Sequence, residues 1–248
     1  MMSDLLIVTG ASAGIGGATA RMAAFSGWRR VVVHYGSDKD GAHETAAMVE
    51  SMGAQAYVIQ ADLARPKAIE KMFAKVADLK PGRIGLVNNA GIVMPTASIA
   101  DLTPERVEAL FRVNTFGAFE VARRAVLIMR DWDMGGGIVN ISSAAARIGS
   151  ANTYVDYAAT KGALETFTLG LADELAPEGI RVNAIRPGII ETAIHAKGND
   201  PDRARRLADQ VPMRRSGQAE ECAEAILWLL SERASYVTRS ILDVAGGR

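Results

Sequence analysis

The stretch LLIVTGASAGIGG, residues 5 to 17, has the pattern of a buried strand that runs into a glycine-rich turn. A short apolar run predicts a buried strand, and glycines follow it at positions 10, 14 and 16. A glycine-rich turn between a strand and a helix lets backbone N–H groups and the helix N-terminus face a pyrophosphate. Gly10 would permit the tight turn, Gly14 the approach of a phosphate, and Gly16 close packing of the helix. The alternative is a plain strand-to-helix turn with no ligand.

The rest of the chain repeats this alternation of apolar runs and helical stretches. Stretches of helical length lie between most of the runs, so the strands are connected as βαβ units. This pattern predicts an α/β fold: a Rossmann-type doubly wound sheet of about seven parallel strands with helices on both faces. The further apolar runs are VVVHY (31–35), AYVIQ (56–60), IGLVN (84–88), GIVNIS (137–142), IRVNAI (180–185) and SILDV (240–244).

Length and composition are those of one folded domain. The chain has 248 residues, of which 49% are hydrophobic, and no linker or repeat divides it. We therefore expect a single domain over residues 1–248. One long irregular segment, about 188–217, is rich in charged residues and broken by Gly and Pro, which predicts a substrate loop. The alternative for this segment is a solvated surface excursion.

Charge and cysteine content exclude some classes of function. Lys+Arg and Asp+Glu both total 28, so the net charge is zero, which argues against binding nucleic acid or anionic membranes. The one cysteine, Cys222, lies in an apolar helical pattern, which predicts a buried structural thiol and a reducing, cytoplasmic setting. No apolar run approaches the roughly 18 residues of a membrane span, and no signal peptide is evident.

The histidines give no sign of a metal site. His34, His43 and His195 are scattered without the spacing of metal ligands, so we expect no bound metal. His34 ends the second strand and His43 lies in a helix, where structural or exposed roles are expected. His195 lies in the substrate loop and could contact a substrate.

The stretch YVDYAATK, residues 154 to 161, places a phenol beside an ammonium group. In a helix, Tyr157 and Lys161 share a face because they are four residues apart, whereas Tyr154 has Ala158 at that distance. The reference pKa of tyrosine, about 10, suits proton transfer at neutral pH poorly. A nearby ammonium favours the phenolate and lowers that pKa. Without other motifs, the default interpretation would be a surface tyrosine beside a lysine.

A set of short motifs occurs in a fixed order along the chain: TGxxxGIG at 9–16, NNAG at 88–91, Asn114, the pair Ser142–Ser143, YxxxK at 157–161 and PG at 187–188. Together they resemble the classical short-chain dehydrogenase/reductases, and the resemblance covers essentially the whole chain. It implies an NAD(P)-dependent oxidoreductase that interconverts an alcohol and a ketone or aldehyde by hydride transfer.

The resemblance implies a catalytic set of Asn114, Ser143, Tyr157 and Lys161. Tyr157 would be the general acid/base, and Lys161 would tune it and hold the nicotinamide ribose. Ser143, rather than Ser142, would bind the substrate oxygen. Ser143 lies 14 positions before Tyr157, one more than the commonest spacing in the family, so we expect the connecting loop to bulge.

Asn114 stands inside a helical pattern, with Gly117 soon after it. Asparagine is a mediocre helix residue because its amide competes for backbone hydrogen bonds. A local distortion there would free a backbone carbonyl, which by resemblance anchors a water in a proton relay toward Lys161. The alternative is a buried asparagine that satisfies its own hydrogen bonds.

The resemblance also implies a cofactor-binding set. Asp62 would bind the adenine amino group, the turn 89–91 would line the adenosine ribose, and the segment 187–192 would lie beside the nicotinamide. From the residues alone, Asp62 could equally cap a turn, and Pro187–Gly188 could simply break the chain. The full set is Gly10, Ser12, Ala13, Gly14, Ile15, Gly16, Ser37, Asp62, Leu63, Asn89, Ala90, Gly91, Tyr157, Lys161, Pro187, Gly188, Ile190 and Thr192.

The end of the second strand, VVVHYGSDKD, bears on the choice of cofactor. An acid at this point selects NAD by binding the ribose 2′-hydroxyl. Gly36 stands there instead and leaves room for a phosphate, to which the Ser37 hydroxyl can donate. NADP(H) is therefore favoured and NAD(H) is possible. Ala13 replaces an arginine common in NADP-preferring relatives, and a shifted loop would bring Asp38 to the ribose and reverse the preference.

The expected partners are a small carbonyl or alcohol substrate and copies of the chain itself. By resemblance we expect a homotetramer, with one interface formed by the helix 223–232 and the final strand, and another by the helices 104–131 and 157–176. The alternative is that Ile226, Leu229 and Leu230 simply cover the sheet.

Two other functions compete with the dehydrogenase. A Rossmann-fold sensor would bind the cofactor without turnover, but it has no need of an acid at Tyr157. An epimerase or dehydratase of the extended relatives would show TGxxGxxG spacing and a longer C-terminal part. The identity of the substrate depends on the loops 144–154 and 188–215, which follow no readable pattern.

Overall fold

The architecture is a seven-stranded parallel sheet with helices on both faces, as predicted. In a computed structural model, which describes residues 4–132, 135–192, 198–200 and 202–248, the strand order is β3-β2-β1-β4-β5-β6-β7. All neighbouring strands run parallel. The strands are β1 (Leu5–Val8), β2 (Arg30–Tyr35), β3 (Gln55–Gln60), β4 (Ile84–Asn88), β5 (Gly136–Ile141), β6 (Ile180–Pro187) and β7 (Ile241–Val244).

The helices form two layers. The described helices are α1 (Gly14–Met22), α2 (Lys39–Ser51), α3 (Pro66–Asp78), α4 (Pro104–Phe111), α5 (Ala118–Trp132), α6 (Ala144–Ile148), α7 (Val155–Leu175), α8 (Arg203–Leu207) and α9 (Ala219–Leu230). None of them is long and apolar enough to cross a membrane. Alternate strand residues point to opposite faces, so Ile7 packs in the layer of α3, α5 and α7, whereas Leu6 packs in the layer of α1, α2 and α9.

The strand order reverses at β1, which pairs with β2 on one side and with β4 on the other. In open parallel sheets, the loops on the two sides of such a point lead in opposite directions and leave a crevice at the carboxyl ends of the strands. The loops that follow β1, β4 and β5 carry the glycine-rich turn, NNAG and the serine pair. The topology therefore brings these three motifs to one edge of the sheet.

A π-helix over Arg112–Gly117 interrupts the helix that runs from α4 to α5. This is the distortion that the sequence predicts at Asn114 and Gly117. The glycine at the end of the π-helix has a steric reason, because a β-carbon on Gly117 would lie 2.5 Å from the backbone oxygen of Leu63. Close approach to the loop after β3 therefore requires glycine there.

The two ends of the segment 188–217 are hydrogen-bonded to each other. Gly217 N donates to Ile189 O at 2.8 Å, and Glu191 N donates to Gly217 O at 2.9 Å. Within the segment the chain forms the short helix α8, so it is less irregular than the sequence predicts. Residues 193–197 and 201, including His195, lie outside the described residues.

Candidate active site and cofactor cleft

A cleft of about 660 Å³ opens at the carboxyl ends of the central strands. Every site residue predicted from the sequence lines it except Gly16 and Asn114. Those two lie behind lining residues: Gly16 packs against Gly10, and Asn114 lies beside Gly91. The cleft therefore gathers positions from 10 to 192 in one place.

The glycine-rich turn is built around left-handed backbone and close contact. Gly10 has φ of +63° and Gly14 has φ of +56°, a region that side chains disfavour. A β-carbon on Gly16 would lie 2.3 Å from Gly10 O and 2.4 Å from Asn89 Nδ2. The turn thus brings its backbone to the cleft wall, with α1 beginning at Gly14, and this shape fits a pyrophosphate.

Thr9 and Asn89 lock the turn after β1 to the turn after β4. The Asn89 amide donates to Thr9 O at 2.8 Å and to Gly10 O at 3.0 Å. The Thr9 hydroxyl oxygen accepts from Asn89 N at 2.9 Å and from Ala90 N at 3.0 Å. The role of Thr9 was not predicted from the sequence, although a polar residue directly after an apolar strand could have indicated it.

His34 joins three strand ends beneath the cofactor cleft. Its Nδ1 accepts from Gly10 N at 3.1 Å, so Nε2 carries the hydrogen and donates to Ala61 O at 3.0 Å. Burial lowers the pKa of His34 to about 4, so the ring is neutral at physiological pH. Of the two roles expected for His34, the structural one is observed, whereas His43 is exposed.

The structure brings Ser143, not Ser142, to the phenol of Tyr157. The Ser143 side chain lies near enough to the Tyr157 hydroxyl to act on its pKa, and the Ser143 hydroxyl oxygen accepts from Ala145 N at 3.1 Å as the cap of α6. The Ser142 hydroxyl donates to Glu165 Oε1 at 2.6 Å. The choice between the two serines therefore follows from the direction in which the end of β5 points each side chain.

Lys161 lies buried behind Tyr157. Its ammonium nitrogen donates to Ile141 O at 2.8 Å and lies 5.7 Å from the centre of the Tyr157 ring. Burial lowers the pKa of Lys161 to about 8 and raises the pKa of Tyr157 to about 12, while the Ser143 hydrogen bond acts to lower the latter. In this arrangement burial of the phenol outweighs the effect expected from the neighbouring ammonium.

Asn114 uses its side chain to hold the loop after β4. Its Oδ1 accepts from Ile92 N at 2.8 Å, and its Nδ2 donates to Ile92 O at 2.9 Å and to Thr160 Oγ1 at 3.3 Å. The side chain is fully buried. It thus ties this loop to α7 beside Tyr157, while the role expected of its backbone carbonyl stays a prediction.

The cleft is open at Gly36, the end at which the sequence predicts the adenosine ribose. Apart from Gly36 itself and its two chain neighbours, no heavy atom of the described residues lies within 4 Å of the position that a Gly36 β-carbon would take, and the neighbouring Ser37 is exposed. The Asp38 carboxylate caps α2 by accepting from Gly41 N at 3.1 Å. Asp62 accepts from Ala64 N at 2.9 Å, so the turn cap left open by the sequence is present.

The other end of the cleft is lined by residues that the motifs did not indicate. β6 ends at Pro187, and a β-carbon on the following Gly188 would lie 2.7 Å from Ala245 Cα, which explains the glycine. Lining residues outside the predicted site set include Ile92, Val93, Tyr154, Arg203 and Arg248. No local pattern identifies the two arginines, because they come from parts of the chain that meet only in the fold.

No metal centre accompanies these groups among the described ranges. Within residues 4–132, 135–192, 198–200 and 202–248, no three His, Cys, Asp or Glu side chains form a group that could hold a metal ion.

Comparison with known proteins places the chain among oxidoreductases. A family model described as enoyl-(acyl carrier protein) reductase matches residues 10–248. An uncharacterised oxidoreductase of Escherichia coli (strain K12), YgfF, is 44% identical over 246 residues, covering 98% of this chain and 99% of that protein.

Two solved structures have the same fold over nearly their full length. A 3-ketoacyl-(acyl-carrier-protein) reductase from Brucella melitensis, complexed with NADH, has a TM-score of 0.89 and 30% identity, covering 100% of this chain and 98% of that one. The angucycline C-6 ketoreductase LanV, with bound NADP, has a TM-score of 0.89 and 32% identity, covering 98% of this chain and 95% of that one. With this degree of similarity over nearly its whole length, the chain belongs to the short-chain dehydrogenase/reductase family of NAD(P)-dependent oxidoreductases.

Proposed function

We propose that the chain interconverts an alcohol and a ketone or aldehyde with Tyr157 as the general acid/base. The observation that carries this proposal is the contact of Tyr157 with Ser143 on one side and with the buried Lys161 on the other. A carbonyl oxygen that becomes an alkoxide needs hydrogen-bond donors and a proton. Ser143 and Tyr157 present two neighbouring hydroxyl groups at the wall of one cleft.

In the reductive direction, Tyr157 gives its hydroxyl proton to the carbonyl oxygen while Ser143 donates a hydrogen bond to the same atom. The bound nicotinamide supplies the hydride in reduction and accepts it in oxidation. The Lys161 ammonium stabilises the phenolate that Tyr157 becomes, which compensates in part for its burial. Asn114 holds the Ile92 loop against α7 and so keeps the wall beside Tyr157 in place.

We propose that the dinucleotide lies along the cleft from Gly36 to Thr192, within a single domain in which 188–217 is the substrate loop. Support comes from the fit of the residues: left-handed Gly10 and Gly14 shape a turn at the start of α1, and Gly36 leaves open space. The residues that would hold the cofactor are the set named from the sequence, with Gly16 acting through packing rather than contact.

We infer a preference for NADP(H). Space at Gly36 and the exposed Ser37 hydroxyl favour a 2′-phosphate, and Asp38 is engaged with Gly41 N as a helix cap. Ala13 supplies no cation to such a phosphate. The comparison is kcat/KM for NADPH and NADH on one carbonyl substrate. A tenfold preference for NADH, about 1.4 kcal/mol, would reverse the inference, and Asp38→Ala should then relax that preference.

We also propose a homotetramer in the cytoplasm. The free, buried Cys222 suits a reducing compartment. Exposed apolar side chains suit contacts between copies, and they include Trp228 on α9, Leu242 on β7 and Leu127 on α5. Cell fractionation tests the location, and recovery from the periplasm or a membrane would contradict it.

One experiment separates the enzyme from a cofactor sensor. Purified protein is given a panel of neutral and charged carbonyl compounds with NADPH or NADH, and oxidation of the reduced nicotinamide is followed by absorbance. We expect turnover of at least one carbonyl. Binding of cofactor, measured by calorimetry, without turnover of any panel member would favour the sensor.

A further inference from the structure

The end of the cleft beyond Tyr157 carries two arginines that the proton-transfer mechanism does not use. Arg203 begins α8 and Arg248 follows β7. Both line the cleft, and both also line a second cavity of about 580 Å³. The two cavities share Ile148 and Ser150 as well. The two guanidinium groups therefore lie where the cleft meets a further polar space.

Within the described residues, no carboxylate side chain forms an ion pair with Arg248. Its Nη1 is buried and has no hydrogen-bond partner in the described part of the chain. A buried donor without a partner is costly, and more so on a charged group. Burial and the nearby charge of Arg203 both lower the pKa of Arg248, as expected for two cations held close together.

Arg203 is only weakly neutralised. Its carboxylate partner is Asp200, at 3.7 Å, and that carboxylate also pairs with Arg206. The guanidinium carbon of Arg203 instead lies 5.0 Å from the centre of the Tyr154 ring. A stacked guanidinium keeps its edge free to donate hydrogen bonds.

Other arginines near this end show how the fold balances a cation when no ligand is involved. Arg186 donates to both oxygens of Glu165, at 2.6 Å and 2.7 Å. Arg147 donates to Asp243 at 3.3 Å and to the backbone oxygen of Arg248. Unlike these arginines, Arg203 and Arg248 have charges that the described carboxylates balance weakly or not at all. This difference indicates a binding partner from outside the chain.

We propose that Arg203 and Arg248 bind an anionic group of the substrate, so that the enzyme acts on carbonyl or alcohol compounds that carry a carboxylate or phosphate away from the reacting carbon. This inference rests on the proposed function, because Tyr157 marks where the carbonyl lies. The tyrosine rings connect the two points: the centres of Tyr154 and Tyr157 are 6.4 Å apart, and Arg203 lies against Tyr154. Guanidinium groups suit both anions, since their paired N–H groups match two oxygens.

The direct test compares keto acids with their methyl esters on the wild-type protein. A series of oxo-carboxylates with increasing separation between the ketone and the carboxylate is assayed, each beside its methyl ester, and dihydroxyacetone phosphate is assayed beside dihydroxyacetone. We expect kcat/KM for at least one anion to exceed that of its neutral counterpart by about tenfold or more, the effect of one charge-assisted hydrogen bond. The preference should shrink as the salt concentration rises.

Variants then assign the preference to the two residues. Arg248→Met and Arg203→Met should each lower kcat/KM for the preferred anion by about tenfold more than for its neutral counterpart. Arg205→Met is the matched control: it lies on the same helix as Arg203, is exposed, and pairs with Asp202 at 2.8 Å outside both cavities. In Arg205→Met, the ratio of kcat/KM for the anion to kcat/KM for its neutral counterpart should stay at the wild-type value.

The outcomes separate the two proposals. Turnover of the neutral ketones without preference for any anion overturns the anion site and leaves the proposed function standing, and so does a preference that survives in both variants. Absence of turnover for every compound overturns the proposed function itself. Preference for the oxo-carboxylates alone, or for the phosphate alone, identifies which anion the site takes. If one variant fails to fold, the other variant together with the wild-type ratio still decides.

Discussion

Tyr157 is half-buried in the wall of the cleft and Lys161 is buried behind it, and the loss of hydration acts on both in the same sense, against charge. It raises the pKa of the phenol to about 12 and lowers the pKa of the amine to about 8. As the pH rises from neutrality, Lys161 therefore loses its proton long before Tyr157 does. The proton donor stays intact over the range in which its supporting charge disappears.

This order of deprotonation predicts the basic limb of the pH–rate profile. In the reductive direction, kcat/KM should fall as the pH rises through about 8, because the charge that stabilises the phenolate is lost there. Lys161→Arg, which keeps its charge, should move the fall to higher pH even if its activity is lower. A wild-type profile that stays flat to about pH 10, the reference value of tyrosine, would contradict the role given to Lys161.

The lowered pKa of the buried His34 predicts how the free energy of unfolding changes in acid. Its pKa in the folded protein is about 4, against 6.5 for the ordinary side chain, so below pH 6.5 the unfolded chain binds a proton that the fold excludes. The free energy of unfolding should then fall by about 3 kcal/mol between pH 6.5 and 4.

Denaturant melts across this pH range test the claim. His34→Gln, which cannot gain the proton in either state, should flatten the fall relative to the wild type. If the free energy of unfolding fell equally in the wild type and in His34→Gln, groups other than His34 would be responsible for the fall.

At the scale of elements, the helix α1 must approach the turn before it very closely. A methyl group on Gly16 would meet Gly10 O at 2.3 Å and Asn89 Nδ2 at 2.4 Å. These atoms belong to the turns after β1 and β4, which are hydrogen-bonded to each other. Gly16→Ala should therefore weaken cofactor binding by about tenfold or more and destabilise the fold by about 1–3 kcal/mol.

Gly17→Ala is the matched control in the same helix. Its β-carbon would meet first the flexible end of Arg21, at 3.2 Å, so its stability should stay within about 1 kcal/mol of the wild type. Calorimetric titration of the cofactor and denaturant melts measure both effects. Equal cofactor affinity in the two variants would contradict the packing role of Gly16.

The sequence predicts the elements because their signals are local. Apolar runs mark the seven strands, and Asn114 with Gly117 marks the π-helix, since each conflicts with a regular helix in its own way. The longer spacing between Ser143 and Tyr157 is absorbed by α6 and a turn in which Ser150 and Asn152 have positive φ.

Contacts between distant segments could not be predicted in the same way. His34 accepts from Gly10, and its role appears only when β1, β2 and β3 lie side by side. Arg203 and Arg248 likewise meet only after the chain has folded. The pKa of Tyr157 depends on how deeply the fold buries the phenol, which a helical spacing of four residues does not specify.

At the scale of the whole molecule, the surfaces expected to form a tetramer have a mixed character. Ile226, Leu229 and Leu230 are buried within the subunit, so the alternative that they cover the sheet is observed. Trp228 and Leu242 remain exposed beside them, and Leu127 is 42% exposed on α5. These exposed side chains, rather than the buried ones, would supply the apolar contacts.

Light scattering tests the assembly. We expect a particle of four subunits, each of 26.3 kDa, and Leu127→Arg should reduce its mass by placing a charge in an interface. Phe25→Arg is the control, because Phe25 is 78% exposed and lies outside the expected interfaces. A wild-type monomer would contradict the tetramer, and a shift in Phe25→Arg but not in Leu127→Arg would misplace the interface.

The proposed transfer of a proton from the Tyr157 hydroxyl is tested by comparing the turnover of Tyr157→Phe with that of Tyr154→Phe. Since Tyr157→Phe keeps the ring and removes only the donor, kcat should fall by about 10²–10⁴-fold while the cofactor dissociation constant, measured by calorimetry, stays close to that of the wild type. Tyr154→Phe should lose far less. Turnover of Tyr157→Phe close to the wild-type rate, or a larger loss in Tyr154→Phe, would contradict the account.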